Sequence, residues 1–395
     1  MYLYGKYPDY DILNIVQEDL DKLPSLLNFA EKYSICGNVW EAFVAYLIMI
    51  DENPFSLSVE RNNKVGSAES FAKCDIEEFR KIFHTDFSSI KLLSVLLNYS
   101  SNTISVGSED IRKGKLIIEF AKKLKSATTS DEFFNEVKKF YVTHGVGVFG
   151  LNKAFYMRDN GEVVPVSNIK NAYFDKICGY DSQKMRLIEN TNAFINSLGG
   201  NNVLLYGDSG TGKSTSIKAV LNMFFEQGLR MIQIQKHQFV RLGELTEKLN
   251  SRNYKFILYM DDLSFEDFEI EYKYLKAAIE GGLGEKPDNV LIYATSNRRH
   301  IIKETFAERE GGGDIHRNES IQEKISLSER FGLMIYYPKP NQQEFFDIVM
   351  SLAKIEDIKL DENIIISEAR KWGISHSGFS GRTAEQFIAH LKTKK

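Results

Sequence analysis

Residues 207–214 read Gly207, Asp208, Ser209, Gly210, Thr211, Gly212, Lys213, Ser214. This matches the pattern of glycine, any four residues, glycine, lysine, then serine or threonine. Glycines free successive backbone N–H groups to point into one concavity, and a helix starting there favours negative charge, so the segment is built to cradle phosphates. Lys213 would neutralise the β- and γ-phosphates and the Ser214 hydroxyl would ligate magnesium, with Thr215 closing the loop's contacts to the nucleotide. Farther on, Asp261 and Asp262 follow the apolar run 256–260. Asp261 is placed to hold magnesium through water, and Asp262 to orient and deprotonate a water that attacks the γ-phosphate. Thr295, Ser296 and Asn297 end another apolar run and could reach the γ-phosphate or that water, although alone such a trio is a helix cap or turn. Two arginines stand out by place: Arg330, ahead of a last apolar run, and Arg382, after Gly378, Phe379, Ser380 and Gly381. A guanidinium stays charged and stabilises a transferring phosphoryl group, while the ordinary alternative is a surface salt bridge.

Apolar strand patterns at 203–206, 231–234, 256–260, 290–295 and 333–336 alternate with helical patterns and predict a five-stranded parallel sheet covered on both faces. Ligands of such sheets bind at the carboxyl ends of the strands, where the loop, the two acids and Asn297 all fall. After Pro340 the strands stop, and helical patterns at 342–353, 361–372 and 382–391 predict a small lid. Residues 1–150 read as a mainly α-helical domain, with Ile117, Phe120, Ala121 and Leu124, then Phe133, Val137, Phe140 and Tyr141, spaced at three and four. Between them, 151–176 reads as a linker with a hairpin turning at Asp159, Asn160 and Gly161. The α/β core then spans 177–339 and the helical lid 340–395, with residues 308–318, which include Gly311, Gly312 and Gly313, as a loop.

The whole chain has 395 residues, 43% hydrophobic and 26% charged, with 50 basic against 54 acidic side chains. A net charge of -4 excludes a globally basic nucleic-acid binder. Local basic features remain at Arg298, Arg299, His300 and Lys303, and on the helix carrying Lys113, Lys115, Lys122, Lys123 and Lys125, which reads as a solvated face. Cys36, Cys74 and Cys178 have no paired spacing, which predicts reduced thiols packed as small core hydrophobes in a cytoplasmic protein. Residues 1–10 show no secretory pattern, and the apolar run 42–50, bracketed by Glu41 and Asp51, is too short to span a membrane and reads as a buried helix segment.

Taken in order, 207–214, Asp261 and Asp262, Asn297, Arg330 and Arg382 look like the motifs of an AAA+ ATPase. More narrowly, 179–389 resembles a mainly bacterial family of AAA+ ATP-binding proteins catalogued as a domain of unknown function. The resemblance is carried by Gly179-Tyr180-Asp181-Ser182-Gln183-Lys184 and by 201–214, 261–265, 287–300 and 326–332. It implies ATP and Mg2+ as ligands, with residues 177–180, including Gly179 and Tyr180, bordering the adenine. It also implies Asn297 as the sensor-1 residue, Arg382 as the sensor-2 arginine and Arg330 as an arginine finger reaching the next subunit's nucleotide, hence a homo-oligomer such as a ring. Most AAA+ proteins end the acid strand with Asp-Glu, whereas this chain has Asp-Asp, and the shorter second carboxylate implies slow hydrolysis. The expected function is an ATPase that drives or gates remodelling of an unidentified protein or nucleic-acid partner. A nucleotide-dependent assembly module with little turnover and a P-loop kinase are the alternatives. A GTPase is disfavoured, because no Asn-Lys-x-Asp motif follows the sheet.

Overall fold

The structure is a computed structural model that describes residues 1–5, 22–62, 65–86, 93–101, 107–167, 169, 172–265, 270–280, 287–297, 330–376 and 378–393. It divides into two compact units, Met1–Asn152 with Pro165–Ile169, and Lys153–Val164 with Lys170–Lys395.

Helices dominate the first unit: α1 (Leu23–Tyr33), α2 (Val39–Ile50), α3 (Pro54–Glu60), α4 (Ala68–Phe83), α5 (Ser108–Ser126), α6 (Ser130–His144) and α7 (Gly147–Leu151). Two short strands, β1 (Cys36–Gly37) and β2 (Tyr99–Ser100), pair antiparallel. The apolar run 42–50 lies within α2, which is buried nearly all round because it forms the centre of the core with Trp40, Phe43 and Leu47. Side-chain caps start two of the helices that follow. Asn53 and Ser56 make a reciprocal capping box for α3, as do Thr129 and Glu132 for α6. The lysine face of α5 differs from its sequence reading at one position. Lys113 is buried and its ammonium meets Asp110 at 2.9 Å, because it falls on the inward stripe of the helix. The thiols also depart from expectation: Cys36 and Cys74 are free but exposed, and Cys178 is only partly covered.

The second unit holds β3 (Ala154–Met157), β4 (Val163–Pro165), α8 (Asp181–Ile195), β5 (Val203–Gly207), α9 (Lys213–Phe224), β6 (Leu229–Gln233), α10 (Leu242–Asn250) and β7 (Lys255–Met260). There follow α11 (Glu271–Glu280), β8 (Val290–Ser296), β9 (Leu333–Tyr337), α12 (Gln342–Ile355), α13 (Glu362–Ser375) and α14 (Gly381–Thr393). The sheet has seven strands in the order β4-β3-β6-β7-β8-β5-β9, which corrects the expected five. The two additional strands come from the segment that reads in sequence as a linker. In β3, Phe155 and Met157 are buried while Tyr156 is exposed, and Ala154, Phe155 and Tyr156 pair in parallel with Met231, Ile232 and Gln233. Without β3, the outer edge of β6 would present unpaired backbone groups. A four-residue alternation does not reveal in sequence which strand it will join.

Strands β5 to β9 pair in parallel throughout. Their spatial order sets β8 between β5 and β7, so one strand separates the glycine-rich loop from the paired acids, at a spacing of about 4.8 Å on either side. After β9, helices α12, α13 and α14 pack around Phe345, Val349, Ala369, Ala384 and Phe387. Among the described residues no helix is long and apolar enough to cross a membrane.

Candidate functional site

Strand β5 is buried along nearly its whole length and delivers the chain into the loop at Gly207. There φ is +131°, and a Cβ would stand 2.1 Å from the Tyr337 carbonyl oxygen, so both conformation and space require glycine. The loop ends at Gly212, whose φ of +91° precedes the first turn of α9. Across it, the Gly210 carbonyl accepts from the Arg382 N–H at 3.2 Å, which brings the start of α14 onto the loop. Asp208 contributes a carboxylate that accepts from the Lys339 N–H at 3.1 Å.

A cavity of about 490 Å³ opens between the loop and α12 and α14. Of the residues singled out in sequence, Tyr180, Ser209, Gly210, Thr211, Gly212, Lys213, Ser214, Thr215, Asp261, Asp262, Asn297 and Arg382 all line it. Gly207 and Asp208 instead line an adjacent open hollow with Tyr206, Asn297 and Tyr336, and Gly179 lines neither. Arg330 lines neither cavity and is ion-paired with Glu280 at the end of α11. The basic residues Arg298, Arg299, His300 and Lys303, and the triple glycine 311–313, lie outside the described residues.

The polar end of the cavity is a connected hydrogen-bond network. The Lys213 ammonium donates to the carbonyls of Gly207 at 2.8 Å and Asp208 at 2.6 Å, and to Asn297 Oδ1 at 3.1 Å. Burial pushes its pKa below the ordinary lysine value, while the negative charges of Asp208, Asp262 and Asp261 act in the opposite sense. Asp261 Oδ1 accepts from Ser214 Oγ and from Thr295 Oγ1, each at 2.7 Å. Burial alone would raise the pKa of this carboxyl. The hydroxyls of Thr295 and Ser214, with that of Tyr259 close by but outside hydrogen-bond geometry, outweigh it and hold the carboxyl below the usual range. Asn297 Nδ2 donates to Asp262 Oδ1 at 2.7 Å. A hydroxyl and a carboxylate sharing one point suit magnesium, which takes few protein ligands and keeps water and phosphate oxygens in its remaining positions. Among the described residues no cluster of three or more His, Cys, Asp or Glu could hold a metal by itself.

The opposite end is apolar, with Ile177, Cys178, Ile348 and Leu352 facing the cavity. Tyr180 sits in the left-handed region at φ 59° and stacks on Tyr337, and its hydroxyl donates to the Pro338 carbonyl at 2.8 Å. Sequence reasoning misses Ile348 and Leu352, one turn apart on α12, and Glu385, one turn beyond Arg382 on α14. Their spacing follows helical period, but nothing local marks the face that turns toward the cavity.

A glycine-rich loop at the end of an interior strand, with paired acids two strands away across a polar strand end, gives the C-terminal unit a P-loop fold of the AAA+ type. The chain belongs to the family described as "Protein of unknown function (DUF815)", whose profile matches residues 151–395. No curated protein matches the chain. Among solved structures it is similar to the RuvB Holliday junction branch migration motor of Thermotoga maritima, at 14% identity over 56% of this chain and 72% of that one, with a TM-score of 0.35. Another RuvB structure from that organism shares 17% identity over 57% and 65%, with a TM-score of 0.39. The ORC1 protein of Aeropyrum pernix, solved in complex with DNA, shares 13% over 55% and 60%, with a TM-score of 0.40. The fold type rests on the strand order and the loop.

Proposed function

We propose that the chain binds Mg2+ and ATP in the 490 Å³ cavity and hydrolyses the nucleotide, using the cycle to drive or gate the remodelling of a macromolecular partner. The observation that carries this reading is the division of one cavity into an apolar slot and a polar end where Lys213, Ser214, Asp261, Asp262 and Asn297 converge. Ile177, Cys178, Ile348 and Leu352 would enclose the base. The loop N–H groups and Lys213 would hold the phosphates, and Ser214 and Asp261 the magnesium, which would neutralise developing charge on the phosphates. Asp262 would take the proton of the attacking water as Asn297 orients it, and Arg382, carried by the lid, would add positive charge at the γ-phosphate. The hydrogen bond from the Arg382 N–H to the Gly210 carbonyl gives lid movement a direct coupling to the loop. Arg330, outside its own chain's cavity, would serve a neighbouring copy in a homo-oligomer, and the protein would work in the cytoplasm.

A second reading, a nucleotide-gated assembly module with little turnover, draws on Asp262 itself. Its carboxylate is one methylene shorter than glutamate and already accepts from Asn297 at 2.7 Å. Hydrolysis per subunit, measured across a wide range of protein concentration, separates the two. For the ATPase reading the rate climbs with concentration and collapses in Arg330→Ala, while Asp262→Asn keeps ATP affinity but loses on the order of 100-fold or more in turnover. A flat, very low rate that neither substitution changes would sink the ATPase reading in favour of the assembly module.

A further inference from the structure

The sequence marks Thr295 as a candidate partner for the γ-phosphate or the attacking water. Its hydroxyl is instead engaged with both acids of the neighbouring strand. Thr295 Oγ1 donates to Asp261 Oδ1 at 2.7 Å and accepts from the Asp262 N–H at 2.9 Å. One residue along the backbone, the Thr295 carbonyl accepts from the Leu263 N–H at 2.7 Å. The peptide groups on both sides of Asp262 are therefore tied to this one residue.

Those ties bear on a strained conformation. Asp262 has φ 52°, in the left-handed region that an L-residue with a side chain enters at a cost and keeps only where its surroundings over-determine it. Parallel register supplies the placement: Ala294 is opposite Met260 on β7 and Thr295 opposite Leu205 on β5, so Thr295 lies level with Asp261 in the middle of the sheet. It is only 2% exposed, and a β-branched side chain on a strand has few rotamers, which fixes where the hydroxyl points. Turned this way, Asp262 presents its carboxylate to the Asn297 amide.

We propose that Thr295 is the positioning residue of the site, its hydroxyl linking the carboxylate that would hold magnesium to the backbone that aims the base. The inference rests on the ATPase reading for its consequence in turnover, but not for its geometry. Asp261 and Asp262 are adjacent in sequence yet face different tasks, and one hydroxyl of β8 makes their relative placement a single rigid arrangement. Any shift of Asp261 on engaging magnesium is then transmitted to the peptide preceding Asp262.

Two variants of the full chain test it. Thr295→Val keeps the branched shape and removes the hydroxyl, while Thr295→Ser restores the hydroxyl. With valine, ATP affinity measured without magnesium stays within about twofold of the wild type, whereas kcat or apparent magnesium affinity falls by roughly 10–100-fold, the loss usual when a group orienting a metal ligand is removed. Serine recovers most of that loss. Amide hydrogen exchange at Asp262 quickens in the valine variant whether or not the chain turns over ATP. If the wild type proves inactive, the ATPase reading fails while the exchange measurement still decides the role of Thr295. Unchanged exchange at Asp262, wild-type turnover and magnesium dependence in the valine variant, or equal loss with valine and serine would overturn the proposal.

Discussion

Both units bury charged and polar side chains, but the groups that fasten chain segments in the helical unit are connected differently from those around the cavity. In the helical unit, Asp75 is 1% exposed on α4, and its carboxylate accepts from three successive backbone N–H groups, those of Tyr2, Leu3 and Tyr4, at 2.6 to 3.1 Å. Glu60 accepts from the Val146 N–H at 2.9 Å, and the buried Ser56 hydroxyl donates to the Asp51 carbonyl. These are contacts of side chain to backbone, which fasten chain segments to helices and answer the demand that buried polar groups be paired. In the α/β unit, the polar groups around the cavity engage one another: Lys213 with Asn297, Asn297 with Asp262, Ser214 and Thr295 with Asp261. Side chains that hold each other at the rim of a cavity can exchange partners when a ligand arrives. A carboxylate saturated by backbone cannot do so without unfolding its surroundings. Burial alone therefore does not mark a functional group, whereas mutual pairing beside a cavity does.

Breaking this contrast begins with its most consequential residue. Lys213→Ala should weaken ATP binding by on the order of 100-fold or more, because the charge-assisted hydrogen bonds to phosphate disappear, as read by calorimetric titration. Folding stability should change by no more than about 1 kcal/mol, because the variant forgoes hydrogen bonds to two backbone carbonyls and to Asn297 but no longer has to bury an ammonium. Equal ATP affinity in this variant would remove the site assignment altogether. Asp75→Ala should do the reverse. Leaving the N–H groups of residues 2–4 without their carboxylate should destabilise the helical unit by roughly 2–4 kcal/mol in denaturant unfolding, with ATP affinity unaltered. A change in ATP affinity there would mean that the two kinds of polar group are not separable.

The smallest effect concerns acid. The Asp261 carboxyl is held below its ordinary pKa of 3.8, so it contributes stability that is fully present above that value and is lost as pH falls through the folded-state pKa. Acid titration of the α/β unit within the full chain, without magnesium, should show stability falling below about pH 4, and less steeply in Asp261→Asn. An identical acid limb in both proteins would show that the carboxyl is not stabilised in its charged form.

Legibility in the sequence follows the range of the interactions involved. The loop 207–214, the strand runs and the three lid helices can be read because glycine spacing, apolar runs and helical period are local signals. The buried run 42–50 and the ends of β5, β7, β8 and β9 likewise lie close to where those signals put them. Strands β3 and β4 are visible as a hairpin, but their place in the sheet is not, since a short alternation carries no record of its partner. Cys178 reads as a core residue and lines the cavity instead, because its neighbours are on a helix far along the chain. Lys113 reads as part of a solvated face, since lysine type outweighs its position on the helix.

By itself, then, the sequence determined which chemical groups this protein brings to the cavity: a glycine-rich loop, an ammonium, a hydroxyl, two carboxylates and an amide, each at the end of a predictable strand or the start of a helix. Tertiary structure alone decided what those groups do to one another. The parallel register of β8 against β7 places Thr295 level with Asp261 and lets a single hydroxyl hold both acids, and the packing of α12 and α14 closes an apolar slot over the loop. The physical reason is that propensity and spacing act over a few residues, whereas a hydrogen bond between strands depends on a register that the whole sheet must settle together.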